Sequence, residues 1–302
     1  MGLDSFALAF LAYSRKHGCL GHVATLGRQH THVPPDLIME ILNMPQLQAE
    51  NLARHTFCEQ ILKDGLGAQS VDSFDASNYE NASFVLDIND SLPPKFENVL
   101  FDSVIDIGCL EHIFNVPQAL ANISNLCRVD GQILHILPAN NCLGHGFWQF
   151  SPEMFFSYYS TSNGYDDTEV FLVETDNPLR WFCWYHASKP HSGSRLELTD
   201  LRCNSSLYIM VRTTKKCTSP PIKIQQSDYV AKWISKPILQ QENHKKVKLS
   251  PLSLAVKKMR VLAFLITKFL KRNKLLLKPR RPWNTHSCLT YVDARSLLKV
   301  SH

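Results

Sequence analysis

The residues whose types and spacing could do chemistry are acids placed directly after strand-like runs, and a mid-chain block of titratable, amide and aromatic side chains. Asp75 follows the run Gln69–Phe74, and Asp87 follows Ala82–Leu86. A carboxylate at the end of one strand can accept hydrogen bonds from both hydroxyls of a ribose, and one after the next strand can accept from an adenine amino group. Taken singly, Asp75-Ala76-Ser77 and Asp87-Ile88-Asn89 read as well as Asx turns or helix caps. Their matching positions point to a nucleoside. Glu111 and His112 follow a further apolar run, where they either face a cleft or begin a helix whose dipole stabilises the acid. His145 stands between Gly144 and Gly146, which leave its imidazole exposed and its loop free to close. It is the candidate general base, against the plainer role of a loop histidine bonded only to backbone. Asn140 and Asn141 could orient an acceptor through their amides or simply turn the chain. Trp148, with Phe147 and Phe150, walls such a site or belongs to an aromatic core.

Other chemistries lack their residues. His30-x-His32 has no third ligand at suitable spacing, so no metal is expected there. The chain contains neither a Gly-x-x-x-x-Gly-Lys-Ser/Thr phosphate loop nor a Gly-x-Ser-x-Gly nucleophile elbow.

The elements that must position these residues alternate. Short β-like runs at His22–Leu26, Gln69–Phe74, Ala82–Leu86, Leu100–Ile107 and Gln132–Leu137 are separated by helical segments at Leu37–Leu42, Ala49–Leu62 and Pro117–Cys127. Leu100–Ile107 is apolar and β-branched, as a strand buried on both faces requires. Such alternation predicts a parallel sheet with crossover helices, and its ligands sit outside the carboxyl ends of the strands. The residues immediately after the runs are Gly27-Arg28, Asp75, Asp87, Asp106-Ile107-Gly108 and Pro138-Ala139-Asn140-Asn141. Two later runs, Arg195–Leu201 and Ser206–Thr213, read as an antiparallel hairpin.

At this point the chain resembles the class I S-adenosylmethionine-dependent methyltransferases. Phe101-Asp-Ser-Val-Ile-Asp-Ile-Gly-Cys-Leu-Glu-His-Ile-Phe-Asn is similar to the family's fourth strand and the loop that follows. Arg128-Val-Asp-Gly-Gln-Ile looks like its approach to the fifth strand. Asn140-Asn-Cys-Leu-Gly-His-Gly-Phe-Trp-Gln-Phe-Ser-Pro-Glu153 and Gln225-Gln-Ser-Asp-Tyr229 resemble a bacterial methyltransferase-like subgroup associated with surface-glycan genes. The resemblance spans about residues 20–235. It implies a Rossmann-like sheet of seven strands, mostly parallel, with a reversed last strand. It further implies S-adenosylmethionine as cofactor, held at Gly27, Arg28, Asp75, Ser77, Asp87, Ile88, Asp106 and Gly108. The reaction implied is methyl transfer to a hydroxyl or amine of a small molecule or sugar, with His145, Glu111 and His112 catalytic and Asn140, Asn141 and Trp148 against the acceptor. One segment departs from the pattern. The first loop, Thr25-Leu-Gly-Arg-Gln-His30, holds a single glycine where the family is glycine-rich. Side chains there crowd the approach of backbone amides to the methionine part. Arg28 either meets the cofactor's carboxylate or fills the site with its own charge. The alternative reading is a catalytically silent module of the same fold that docks to a partner or a membrane.

Composition sets the outer limits. An apolar share of 44% supports a packed core. The nine cysteines never form a Cys-x-x-Cys pair, and such a scattered, odd set reads as reduced thiols of a cytoplasmic protein. Phe6–Tyr13 is apolar but lacks the flanks of a signal peptide, and no run reaches the ~18 apolar residues of a membrane span. Charge divides the chain. From Lys215 onward there are 20 Lys and Arg against three acids, a net +17, and the preceding residues carry 12 basic and 24 acidic side chains, a net −12. The expected organisation is a methyltransferase-like domain over 1–217, a linker over 218–243 and a basic helical extension over 244–302. The extension's amphipathic stretch, 251–283, ends in Lys278-Pro-Arg-Arg-Pro-Trp283 and suits an anionic membrane surface. A solvated appendage is the plainer alternative. The absence of a stacking platform argues against nucleic acid.

Overall fold

The computed structural model describes residues 2–190, 205–218, 224–227, 229 and 289–299. Among the described residues nine strands form one sheet in the order β3-β2-β1-β4-β5-β8-β6-β7-β9. They are β1 (His22–Leu26), β2 (Ser70–Asp75), β3 (Phe84–Val85), β4 (Phe101–Ile107), β5 (Cys127–Pro138), β6 (Tyr165–Glu174), β7 (Cys183–Ala187), β8 (Leu207–Lys215) and β9 (Leu289–Asp293). The first five are mutually parallel, and the order turns back at β1 and β4. This is a Rossmann-like doubly wound sheet with its switch point between those two strands.

The pattern of apolar residues explains the layers. Val23, Ile105, Ile107, Leu134 and Ile136 enter one core cluster, beneath α1 (Ser5–Ser14), α2 (Pro35–Leu42) and α3 (Gln46–Ala53). Their alternates Ala24, Leu26, Val104, Ile133 and Leu137 enter the other, beneath α4 (Val116–Leu126) and α5 (Pro152–Tyr158). Successive side chains on a strand point to opposite faces, so a sheet covered on both sides needs both sets apolar. The apolar stretch near the N-terminus is α1, capped by Asp4 Oδ1 accepting from the Ala7 amide at 2.9 Å and buried almost all round. Among the described residues no helix is long and apolar enough to cross a membrane.

The sheet exceeds the expected seven strands because β7 and β9 extend its far edge. The reversed strand is present as β8, but its neighbours are β5 and β6, both antiparallel to it. Both edges of β8 are taken by these strands, and the other expected strand of the hairpin, 195–201, lies outside the described residues. The helix expected over Ala49–Leu62 is shorter: α3 stops at Ala53, and a π-helical turn, Ile61–Gly65, follows. Most of 218–302 also lies outside the described residues, including the stretch 251–283. Leu289–Asp293 nevertheless pairs with β7, and the following helix α6 (Ala294–Leu298) packs near α1, where Lys16 Nζ donates to the carbonyls of Leu297 and Lys299 at 2.6 Å.

Candidate active site

Because β1 to β5 run parallel, the residues after each of them meet along one edge of the sheet. Gly27 ends β1 at φ +70, a left-handed conformation that a side chain would strain, and its amide donates to the Phe74 carbonyl at 2.7 Å. The next two side chains close this loop. Arg28 Nε donates to Glu59 Oε1 at 2.7 Å, Nη1 donates to the carbonyls of Glu80 at 2.6 Å and Asn81 at 3.2 Å, and the guanidinium lies 4.0 Å from the centre of the Phe57 ring. Arg28 is therefore committed to protein partners. Gln29 is buried, with Nε2 donating to the Leu26 carbonyl at 2.6 Å and Oε1 left without a hydrogen-bond partner. His30, next in the loop, meets Glu80 Oε1 through Nε2 at 2.7 Å.

Asp75 closes β2, whereas β3 is shorter than the expected Ala82–Leu86 and Asp87 lies two residues beyond it; each acid also forms a local turn. Asp75 Oδ1 accepts from the Ser77 amide at 3.2 Å. Asp87 Oδ1 accepts from the Asn89 amide at 2.9 Å and from the Asn89 side chain at 2.8 Å, and these bonds hold its carboxyl below the usual range. Asp87 is exposed, whereas the Ile88 side chain is buried in the core.

Asp106 turns inward rather than towards the edge. Its Oδ2 meets His135 Nδ1 at 2.8 Å, and His135 Nε2 meets the Tyr159 hydroxyl at 2.7 Å, all three side chains being buried. Its Oδ1 accepts from the amides of Cys109 at 3.0 Å and Leu110 at 3.3 Å. These bonds, with Gly108 at φ +72, shape the single turn of 3-10 helix Leu110–His112 that presents Glu111. His135 and Tyr159 are functional-site supports that the sequence reading passed over. The signal was a histidine inside the otherwise apolar run Gln132-Ile-Leu-His-Ile-Leu137.

The long loop after β5 brings His145 to the same place. The loop closes on itself through the Phe150 amide donating to the Pro138 carbonyl at 3.0 Å. It is fastened to the 3-10 turn by the Phe147 amide donating to the Glu111 carbonyl at 2.7 Å and by Trp148 Nε1 donating to the Ile113 carbonyl at 2.9 Å. Gly146, at φ +77, lies so close that a Cβ there would be 2.6 Å from the Glu111 carbonyl oxygen. His145 Nε2 stands 3.2 Å from Glu111 Oε1, and His112 Nε2 3.7 Å from the same oxygen. Glu111 is 0% exposed, and neither of its carboxylate oxygens has a hydrogen-bond partner. Burial, reinforced by the charge of Asp106, pushes its carboxyl up to about 8. Burial lowers His145, and burial together with His145 lowers His112, which favours neutral imidazoles in both. Phe114, Phe147 and Trp148 form an exposed aromatic rim beside the group, with Phe114 5.8 Å from Phe147 and 6.1 Å from Trp148. Phe150 is a core residue instead. Asn140 bonds through its backbone carbonyl to the Leu207 amide at 3.0 Å. Asn141 sits at φ +63 with its side chain donating to the Ser205 carbonyl at 2.8 Å. Asn141 is therefore a turn residue, and Asn140 stays at the exposed mouth.

The structure thus unites Glu111, His112, His145 and Trp148. It sets Asp75, Ser77 and Asp87 along the edge from them, and it withdraws Arg28 and Asp106 into contacts within the protein.

No family model matches the chain, and no curated protein matches it. Among solved structures, YcgJ of Bacillus subtilis is similar at 13% identity and a TM-score of 0.37, over 69% of this chain and 97% of that one. The N-methyltransferase NodS of Bradyrhizobium japonicum in complex with S-adenosyl-L-homocysteine is similar at 10% identity and a TM-score of 0.37, over 70% and 88%. A possible histamine N-methyltransferase of Thermotoga maritima is similar at 14% identity and a TM-score of 0.35, over 70% and 91%. Likenesses this weak assign no activity, and the doubly wound fold stands on the strand order of this chain.

Proposed function

We propose that this chain transfers a methyl group from S-adenosylmethionine to a hydroxyl or amine of a small molecule or sugar. The observation that carries the reading is the meeting of two kinds of residue on one sheet edge: carboxylates that suit a nucleoside, Asp75 and Asp87, and the Glu111–His145 pair after β4 and β5. The nucleoside half of the cofactor fits these residues, with Asp75 accepting from the ribose hydroxyls and Asp87 from the adenine amino group. At the methionine half, Gly27 leaves room for close approach, and the unpartnered Oε1 of Gln29 is the acceptor that an ammonium group needs. When bound, the cofactor supplies an electrophilic methyl on a sulfonium. The rest is done by side chains. Trp148 and Phe147 cover one side of the acceptor, and Asn140 orients it. His145 takes the acceptor's proton on Nδ1, while the Glu111 carboxyl behind Nε2 fixes the orientation of the ring. Calorimetric titration of the full-length protein with S-adenosylmethionine and S-adenosylhomocysteine tests the reading. Micromolar binding that is abolished in Asp75→Ala supports it; binding unchanged in that variant sinks the assignment.

A second reading is favoured by the engagement of Arg28 with protein acceptors across the first loop: a silent module of this fold that docks through its basic segment. It requires no cofactor binding up to millimolar ligand by folded protein. It also requires pelleting with anionic vesicles that weakens when Lys257, Lys258, Lys268 and Lys271 are replaced by Gln. Deleting everything after 217 is the wrong probe, because that removes β9 from the sheet.

A further inference from the structure

We infer that Glu111, His112 and His145 form a binding site for a divalent transition-metal ion, of which Zn2+ is the best fit. Among the described residues this is the group of three His, Cys, Asp or Glu side chains whose ligand atoms all lie within 4.8 Å of one another. Proximity alone would be weak. The second observation is that Glu111 is fully buried with both carboxylate oxygens unpartnered, and that the Nε2 of His145 beside it is buried and unpartnered too. Buried polar atoms are almost always satisfied, and an acid side chain with neither oxygen partnered is a rare exception. A cation at this point satisfies Glu111 and His145 at once, and His112 Nε2 is placed to complete the set.

The distances suit an ion. Donors held at about 2.1 Å by a tetrahedral ion stand about 3.4 Å apart. The Glu111 oxygen stands 3.2 Å from one imidazole nitrogen and 3.7 Å from the other. The side chains are also held in place by their own backbones. Asp106 caps the turn carrying Glu111 and His112, and the Phe147 amide and Gly146 press the His145 loop onto it. Two imidazoles with one carboxylate select a borderline ion such as Zn2+ over Mg2+ or Ca2+, which prefer oxygen shells. The histidine side chains are 50% and 42% exposed, so the remaining coordination positions open outward to the aromatic rim, as at ions that act on a substrate.

The inference does not depend on methyl transfer. If that reading holds, the ion takes over acceptor activation by lowering the pKa of a bound hydroxyl, and His145 changes from base to ligand. Sequence spacing did not point here, because the three ligands come from two loops and only the fold joins them.

The test is titration of full-length, metal-stripped protein with Co2+ as a spectroscopic stand-in, followed by displacement with Zn2+. No S-adenosylmethionine is present, so failure here is separate from failure of cofactor binding. The expected result is one equivalent of Co2+ with visible absorption bands of a low-symmetry nitrogen and oxygen site, lost on adding Zn2+. Glu111→Gln and His145→Ala should each weaken binding roughly tenfold or more. Zn2+ should raise the melting temperature of the parent protein and not that of Glu111→Gln, a variant of nearly the same size and shape as the parent side chain. Absence of binding overturns the proposal. So does an intense near-ultraviolet thiolate-to-cobalt band, or affinity unchanged in both variants, since either places the ion elsewhere.

Discussion

Arg28 Nε and Glu59 Oε1 are 2.7 Å apart, joining the loop after β1 to the chain between α3 and the π-helical turn. The same guanidinium spans the carbonyls of Glu80 and Asn81, so one side chain ties together three segments around the first strand's end. A planar fork is needed to serve these acceptors together, and an ammonium cannot replace it. Arg28→Ala should lower stability by about 1–3 kcal/mol, because partly buried acceptors are left unpaired. Arg28→Lys should recover less than half of the loss. Urea midpoints at constant m-value check both. If the guanidinium is structural, Arg28→Ala should also retain cofactor binding under conditions where Asp75→Ala does not.

Gly146 decides whether His145 meets Glu111. Alanine at φ +77, with its Cβ 2.6 Å from the Glu111 carbonyl oxygen, must push the loop away. Gly146→Ala should fold with a local cost of about 1–3 kcal/mol. Its effect on function should exceed that cost, with catalytic turnover or Co2+ affinity falling at least as far as in His145→Ala. Trp148 reports the displacement, since its indole N–H bonds to the Ile113 carbonyl only while the loop is docked. A fluorescence spectrum identical to the parent's would contradict this account.

The buried chain Asp106–His135–Tyr159 supports the site from below. Tyr159→Phe leaves His135 Nε2 without its partner and should cost about 1–3 kcal/mol. Asp106→Ala should cost more, about 3–5 kcal/mol, because it breaks a buried pair and uncaps the turn carrying Glu111. Guanidinium denaturation would rank the two, and the reverse order would refute the positioning role given to Asp106.

Asp102 sets an acid-sensitive link between strands. Its Oδ2 accepts from the His22 amide at 2.7 Å and its Oδ1 from Arg128 Nε at 2.5 Å, joining the starts of β1, β4 and β5. Partial burial raises its pKa, but the His22 amide and Arg128 outweigh it, so the carboxyl titrates below its usual 3.8. A depressed folded value means that the unfolded chain binds the proton first. Stability from this group is therefore complete above the unfolded value and is lost as the pH falls through the folded one. Asp102→Asn should lower stability at pH 7 by about 1 kcal/mol, given that Arg128 is half exposed. It should also flatten the stability profile below pH 4. An acid limb as steep as the parent's would exclude Asp102 as its source.

How much of this was legible in the sequence follows from the range of the forces involved. Five parallel strands, their two-sided burial and the polar residues at their ends could be read directly, because apolar periodicity and strand-ending glycine and aspartate are local signals. These signals single out Asp75, Asp87, Glu111 and His145 in the sequence alone. β6 was not legible: it opens with Tyr165-Asp-Asp-Thr-Glu, and its register shifts between Asp166 and Glu169, so no clean alternation marks it. β9 lies within a strongly basic region and pairs with the edge of β7, a partner about a hundred residues away that no local pattern announces. The roles of single side chains were decided by tertiary structure alone. Arg28 and Asp106 look available in the sequence, yet packing gives each protein partners at hydrogen-bond distance. Glu111, His112 and His145 look like separate loop residues. They become one group, with the buried and unsatisfied Glu111 at its centre, because the ends of β4 and β5 lie side by side.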